Sequence, residues 1–135
     1  MVTIELAYEG DLRVTTVHGP SRQTLSTDAP VDNQGKGESY SPTDLLATAL
    51  GSCMLTVMGI AARSRDIPLE GTTATVDKHM SQDEPRRISI LDVRIDIPYA
   101  LLDKSKVVLK RAAETCPVAQ SINPAIKINF EMNSL

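Results

Sequence analysis

The sequence has few of the residues on which several common kinds of binding site depend. It contains no tryptophan, one phenylalanine and three tyrosines among 135 residues, so aromatic platforms for stacking bases or sugars are missing. Its two histidines, His18 and His79, lie far from each other and from both cysteines, without Cys-x-x-Cys or His-x-x-x-His spacing. A zinc site is therefore not predicted, and we expect neither a metal nor an organic cofactor.

Excess positive charge is also missing. The formal net charge is −3, the isoelectric point is near 5.3, and the lysines and arginines are scattered, which argues against nucleic-acid and membrane partners. The first eight residues lack the charged start and apolar core of a signal peptide, and no uninterrupted apolar run reaches membrane-spanning length. We therefore expect a cytoplasmic protein, folded as a single domain over residues 1–135.

One long stretch, residues 41–65, has the pattern of a central helix. Ser41 and Pro42 are suited to the N-cap and the first helical position, and Asp44 places a negative charge in the first turn. The helix is apolar nearly all round, which predicts that it is buried, with Cys53 at its midpoint. A set of apolar residues at three- and four-residue steps is expected to share one face: Leu46, Leu50, Cys53, Val57 and Ile60.

The rest of the chain predicts short strands and one further helical region. Alternation and turn residues predict strands over 2–8, 12–17, 23–26, 72–78, 88–97 and 126–131, with a loop over 28–40. Helical spacing returns over 99–115, and Pro117 ends it at Cys116 and is suited to start a short second helix. The order β-β-β-helix-β-β-helix-β predicts an α+β protein with a mostly antiparallel sheet.

The two cysteines each allow more than one interpretation. Cys53 fits a packing cysteine, since burial alone raises a thiol's pKa and makes it inert. Cys116 precedes a predicted helix start, where backbone amides and the helix dipole would lower its pKa, but it too could be a packing residue. If the two meet, one thiolate could attack a peroxide and the other could resolve the sulfenic acid as a disulfide. The cation this needs could come from Arg13, Arg22 or Lys36, each of which is also suited to a solvated surface.

Two motifs together resemble the OsmC/Ohr family, the osmotically inducible and organic hydroperoxide resistance proteins. Residues 41–53, Ser-Pro-Thr-Asp-Leu-Leu-Ala-Thr-Ala-Leu-Gly-Ser-Cys, resemble the family's first cysteine motif, and residues 115–122, Thr-Cys-Pro-Val-Ala-Gln-Ser-Ile, resemble its second. The resemblance implies an intertwined homodimer with active sites at the subunit interface. It also implies a peroxidase for organic hydroperoxides, and less well hydrogen peroxide, in oxidative-stress defence. Cys53 would attack, Cys116 would resolve, and an external thiol of dithiol or lipoyl type would be the reductant.

One position departs from the family pattern. Well-characterised members carry glutamate directly after the motif proline, paired with an arginine from the N-terminal strands, whereas this sequence has Thr43 after Pro42. The neighbouring carboxylate is Asp44, Arg13 is the nearest match for the arginine, and Glu38 and Arg22 are alternative partners. The departure indicates a less characterised OsmC-like branch. It leaves open a non-catalytic protein that binds a small apolar or sulfur-containing ligand at the dimer interface, or a structural dimer whose cysteines only pack.

Overall fold

The computed structural model describes all 135 residues, Met1–Leu135, and has the predicted α+β architecture. The chain forms two compact units, residues 1–46 and residues 47–135, which are described in turn. The elements in chain order are β1 (Ile4–Gly10), β2 (Arg13–His18), β3 (Thr24–Asp28), a 3₁₀ turn (Val31–Asn33), α1 (Pro42–Arg63), β4 (Thr73–Met80), β5 (Ile88–Ile97), α2 (Asp103–Glu114), α3 (Pro117–Ser121) and β6 (Lys127–Ser134).

The first unit is built on the N-terminal sheet, an antiparallel meander in the order β1-β2-β3. Asp11 and Leu12 join β1 to β2 with φ angles of 52° and 63°, the left-handed pair that a tight hairpin requires. The alternation of apolar residues in β1 is confirmed, but its half-buried character is not. Within the chain Ile4, Leu6 and Tyr8 are 56%, 66% and 67% exposed, because no element of this unit covers their face of the sheet.

The loop that follows the N-terminal sheet is folded back onto β3 by polar contacts. The Asp28 amide donates to the Tyr40 carbonyl at 3.0 Å, and the Ser39 hydroxyl donates to the Ser26 carbonyl at 2.7 Å. Within the loop, the amides of Gly35 and Gly37 donate to the carbonyls of Pro30 and Ala29. The loop predicted over residues 28–40 therefore contains one short 3₁₀ turn and leads directly to the start of α1.

The second unit contains the C-terminal sheet, in the order β4-β5-β6. β4 pairs with β5 antiparallel, and β5 pairs with β6 parallel, so the sheets are mostly antiparallel, as predicted. The apolar face of β5 is fully covered, since Leu91 and Ile95 are 0% exposed. Other large buried side chains come from α1 and α2 and complete the core: Leu50, Met54, Met58 and Leu109.

Helix α1 packs against the C-terminal sheet along one face only. At Gly51 an added Cβ would lie 2.8 Å from Val76 Cγ2, so the absence of a side chain allows the helix to approach β4 closely. The prediction that the helix is buried was partly wrong, because Ile60 is 66% exposed. The buried residues of α1 are Ala47, Leu50, Gly51, Met54, Met58 and Ala62. Because apolar residues surround the helix almost completely, periodicity could not select the face that packs.

Two further observations concern the helices. By length and composition α1 would be able to cross a membrane, but a third of its most apolar window is buried inside the protein, and here it serves as a core helix. Helix α2 turns Leu109 and Ala113 inward, whereas Leu102 and Val107 are 66% and 63% exposed. The helical pattern breaks at Cys116, as Pro117 predicts, and Cys116 has the extended conformation, with φ −62° and ψ 146°.

Candidate functional site

Folding of the second unit brings the two cysteines together. Cys53, on α1, is half-buried, Cys116 is fully buried, and neither is in a disulfide. Cys53 is close enough to Cys116 to raise the pKa of its thiol, although the two residues are 63 positions apart. Two neighbouring thiols on different elements can form and break a disulfide reversibly.

Cys116 is the N-cap of α3, and its sulfur accepts a hydrogen bond from the Ala119 amide at 3.3 Å. The backbone amides at this position lower the pKa of the Cys116 thiol, as predicted, but the net result is a pKa raised from its ordinary value. Burial is the largest cause and Cys53 adds to it, whereas the amides of Ala119 and Val118 act in the opposite direction. One turn of helix therefore does not compensate for the desolvation of a thiolate.

In the first unit, Arg13 lies between two carboxylates. Its Nη2 donates to Glu38 Oε2 at 2.5 Å and lies 3.7 Å from Asp28 Oδ2. Glu38, through this hydrogen bond and its charge, raises the pKa of the Arg13 guanidinium. Asp28 is 2% exposed; its Oδ2 accepts from the Glu38 amide at 3.0 Å, and its Oδ1 has no partner. The cluster fixes the end of β3, the start of β2 and the loop around one guanidinium.

The other candidate residues of the first unit, Asp44, Thr43 and Arg22, have other hydrogen-bond or ion-pair partners. Asp44 forms a capping box with Ser41: its Oδ2 accepts from the Ser41 amide at 2.8 Å, and the Ser41 hydroxyl accepts from the Asp44 amide at 3.1 Å. The Thr43 hydroxyl lies 3.2 Å from that of Ser41. Arg22 makes only a long ion pair, 3.9 Å, with Glu5. Thr43, the residue after Pro42, thus contributes a hydroxyl to the helix cap and not a carboxylate.

Both histidines are engaged in local hydrogen bonds. His18 Nδ1 lies 2.6 Å from the Ser21 hydroxyl, and His79 Nε2 lies 2.7 Å from Asp92 Oδ2. The Asn129 side chain, which donates to Asp92 at 2.6 Å, and then His79 lower the pKa of that carboxyl. No group of three or more histidine, cysteine or acidic side chains is arranged to hold a metal ion.

Sequence reasoning missed one cationic residue, Lys78. The register of β4 with β5 pairs Lys78 with the fully buried Leu91 and pairs Val76 with Val93. Since paired residues share a face, Lys78 lies on the same face of the sheet as Val76, which contacts α1 at Gly51. A lysine within the alternation Ala74, Val76, Lys78, Met80 was the signal that could have identified it.

Known protein families and solved structures include proteins that are similar to this chain in sequence and fold. Residues 35–131 match the family described as OsmC-like protein. A search of curated proteins finds no match. Among solved structures, a candidate osmotic stress induced and detoxification response protein from Psychrobacter arcticus is 49% identical, with a TM-score of 0.93 over 98% of this chain and 96% of that one.

More distant structures share the fold at low identity. An organic hydroperoxide resistance protein OsmC from Legionella pneumophila is 14% identical, with a TM-score of 0.75 over 99% of this chain and 96% of that one. A candidate organic hydroperoxide resistance protein from Vibrio cholerae, with captopril bound in one of its active sites, is 16% identical, with a TM-score of 0.74 over 99% and 90%. With a family match across well over half its length and both cysteine motifs inside that match, the chain belongs to the OsmC-like family.

Proposed function

We propose that the protein is a cytoplasmic, homodimeric thiol peroxidase that reduces organic hydroperoxides, and less well hydrogen peroxide, in oxidative-stress defence. The observation that carries the proposal is that Cys53 and Cys116 are neighbours, close enough for Cys53 to raise the pKa of the Cys116 thiol. Two thiols brought together from distant parts of the chain can cycle between dithiol and disulfide, and this reaction needs neither a metal nor an organic cofactor.

The proposed cycle has three balanced steps. The Cys53 thiolate attacks one oxygen of R–O–O–H, the O–O bond breaks, and the products are a Cys53 sulfenic acid and an alkoxide, which takes up a proton to leave as the alcohol. The Cys116 sulfur then attacks the sulfenic sulfur, forming a disulfide and releasing water. An external thiol reductant, of dithiol or lipoyl type, restores both thiols and is itself oxidised to a disulfide.

The environments of the two thiols support this division of roles. Cys53 is partly accessible, as a residue that meets a peroxide must be, whereas Cys116 is 0% exposed. The raised pKa of Cys116 keeps it a thiol at neutral pH, so it does not compete for peroxide. Once Cys53 is a sulfenic acid, Cys116 is the neighbouring thiol that can attack its sulfur.

The thiolate also needs a cation, because an ordinary thiol is only a few per cent ionised at pH 7. In the proposed dimer, Arg13 is our first candidate, with Glu38 as the carboxylate that orients it; its support is the 2.5 Å bond between them. Asp44 would contribute indirectly, by fixing the start of α1 through its cap. Lys78 is a second candidate cation, because it lies on the face of β4 that packs on the cysteine-bearing helix.

The proposed homodimer is supported by apolar surface that each unit of the chain leaves exposed. The N-terminal sheet leaves Ile4, Leu6 and Tyr8 more than half exposed, and α1 is apolar on both sides while only one side is covered. Apolar surface of this extent in a water-soluble protein is typical of an interface. A second copy of the chain would cover it, and active sites at that interface would be shielded from bulk water.

A stopped-flow assay with cumene hydroperoxide and dihydrolipoamide would test the proposal. We expect the wild-type protein to turn over, Cys53→Ser to be inactive, and Cys116→Ser to consume about one equivalent before slowing, because its sulfenic acid has no resolving partner. Wild-type consumption no faster than that of Cys53→Ser would refute peroxidase activity. Iodoacetamide labelling of Cys53 at pH 7, in Arg13→Met and Lys78→Met, would identify the cation: labelling slows in the variant that lacks it.

A second candidate function is favoured by Thr43, which stands where peroxidases of the family have the glutamate. In this alternative the protein binds a small apolar or sulfur-containing ligand at the dimer interface without turning it over. The captopril found in an active site of the Vibrio cholerae structure supports such a ligand class. Native mass spectrometry of gently purified protein separates the two: a retained ligand, together with thiols that resist peroxide, would favour binding over catalysis.

A further inference from the structure

The second unit contains a cleft that the proposed thiol chemistry does not use. It lies between the segment that leaves α1 and the segment that leads into α2, and its volume is about 620 Å³. This is within the range of small-molecule sites, roughly 300–1,000 Å³. Its walls are formed largely by apolar side chains: Ile67, Pro68, Ala100, Leu101, Leu102 and Val108.

Two cations line the same cleft, and neither forms an ion pair. The Arg65 guanidinium donates only to neutral oxygens, the Ala61 carbonyl at 3.3 Å and the Ser64 hydroxyl at 2.9 Å. Lys104 lies in the first turn of α2, whose N-cap, Leu102, offers no side-chain hydrogen bond. Asp103 lies in the same turn, but it pairs with Lys106 at 3.8 Å and does not line the cleft. The positive end of the helix therefore adds to the charge of Lys104. Asp66 also lines the cleft without pairing with either cation, which leaves an excess of positive charge.

The backbone at this cleft is also unusual. Asp66 has φ 53°, a left-handed conformation that non-glycine residues rarely adopt. It is imposed where α1 ends, because the amides of Arg65 and Ile67 both return to the Ala62 carbonyl at 3.0 Å. This turn directs Arg65 and Ile67 to the same cleft, so a charged group and an apolar wall are held side by side.

We propose that this cleft binds a single-chain amphipathic carboxylate, such as a medium-chain fatty acid. The carboxylate would lie between Arg65 and Lys104 near the start of α2, where charge-assisted hydrogen bonds are available. The tail would cover Leu102, whose side chain is 66% exposed, and the apolar wall beside it. A purely apolar ligand would leave both cations unused, and a small anion alone would leave the apolar wall in water.

Isothermal titration calorimetry on the reduced, full-length protein tests the site with three probes: decanoate, 1-decanol and acetate. Decanoate is expected to bind at least tenfold more tightly than either of the others, because only decanoate uses both the charge and the wall. Arg65→Gln and Lys104→Gln should each weaken decanoate binding about tenfold or more, the loss expected for one charge-assisted contact. Lys110→Gln is the matched control, since Lys110 lies on the same helix but does not line the cleft.

Two outcomes would overturn the proposal. Equal binding of decanol and decanoate would show that the cations take no part, and unchanged decanoate binding in both Arg65→Gln and Lys104→Gln would place the ligand elsewhere. Leu102→Asp provides an independent check, since it changes an exposed position and should abolish binding while circular dichroism stays unchanged. Because binding is measured without peroxide or reductant, the result is independent of whether Cys53 and Cys116 form a peroxidase.

Discussion

The two sheets of this protein differ in how far the chain covers its own apolar side chains. In the C-terminal sheet, Leu91 and Ile95 are 0% exposed, whereas in the N-terminal sheet Leu6 and Tyr8 are 66% and 67% exposed. Both sheets have three strands and similar alternation. The difference is that helix α1 packs on the C-terminal sheet, whose core also includes Leu109 of α2, and no element of the first unit packs on the apolar face of β1.

This comparison shows which part of the molecule can stabilise itself. A three-stranded sheet needs an apolar face packed against something to be stable in water. The second unit meets this condition within one chain. The first unit holds its loop through polar contacts around Asp28 and Arg13, and its apolar face is available for the second copy that we propose.

The largest effect is expected where the covered core is broken. Leu50 is 0% exposed on α1, so Leu50→Ala should lower the free energy of unfolding by about 2–5 kcal/mol, through lost burial and the cavity left behind. Urea denaturation measures this change. Lys110→Ala, at an exposed position of α2, is the control and should change stability by less than about 0.5 kcal/mol; equal effects at the two positions would contradict the placement of Leu50 in the core.

Two glycines of α1 sharpen the contrast between its covered and open sides. Gly51→Ala should destabilise the protein by about 1–3 kcal/mol, because its methyl group would lie 2.8 Å from Val76 Cγ2. Gly59→Ala has nothing within 4 Å of its new Cβ and should stabilise the helix by about 0.5–1 kcal/mol. Thermal denaturation of the pair provides the measurement, and the prediction fails if the two shifts have the same sign.

A charged substitution tests whether the exposed apolar face of the N-terminal sheet is a dimer interface. Leu6→Glu should weaken self-association at least tenfold, about 1.4 kcal/mol, because it places a carboxylate in the proposed interface. Ala7→Glu, on the opposite and also exposed face, should leave association unchanged. Analytical ultracentrifugation across a concentration series would detect the difference. A wild-type protein that stays monomeric at high micromolar concentration would instead show that this face is not a dimer interface.

The smallest effect concerns the covered thiol and pH. The pKa of Cys116 is raised in the folded protein, chiefly by burial, so above a pH of about 8.5 the unfolded chain loses this proton while the folded chain keeps it. Stability therefore falls as pH rises from the unfolded-state pKa towards the folded one. Urea denaturation under reducing conditions should show a shallower fall between pH 7.5 and 9.5 in Cys116→Ala than in the wild type; parallel curves would contradict the burial effect.

Much of the fold could be predicted because local chemistry and tertiary structure agree. The alternation in residues 88–97 gives β5 at its observed bounds, and Pro117 ends the helical pattern at Cys116, as its ring requires. The two cysteines could be connected only through the family resemblance. Nothing local in a sequence measures the distance between residues 63 positions apart.

Three features could not be predicted, each for a physical reason. The packing face of α1 could not be selected because apolar residues surround the helix. The exposure of the apolar face of β1 could not be predicted because it depends on whether another element packs on that face. The pKa of Cys116 depends on burial, a tertiary property, which outweighs the local dipole that sequence reveals. The pairing of Arg13 with Glu38 across 25 positions likewise exists only after β2 and the loop have come together.

The parallel pairing of β5 with β6 has a consequence for the order of assembly. Its registered partners, from Ile90 with Lys127 to Ile97 with Ser134, are 37 residues apart, and such non-local contacts form late and slowly. Cys116 lies in the connection between these strands, so its final position depends on the pairing of β6 with β5. During synthesis, Cys53 leaves the ribosome well before Cys116, and we expect the thiol pair to form only once β6 has paired with β5.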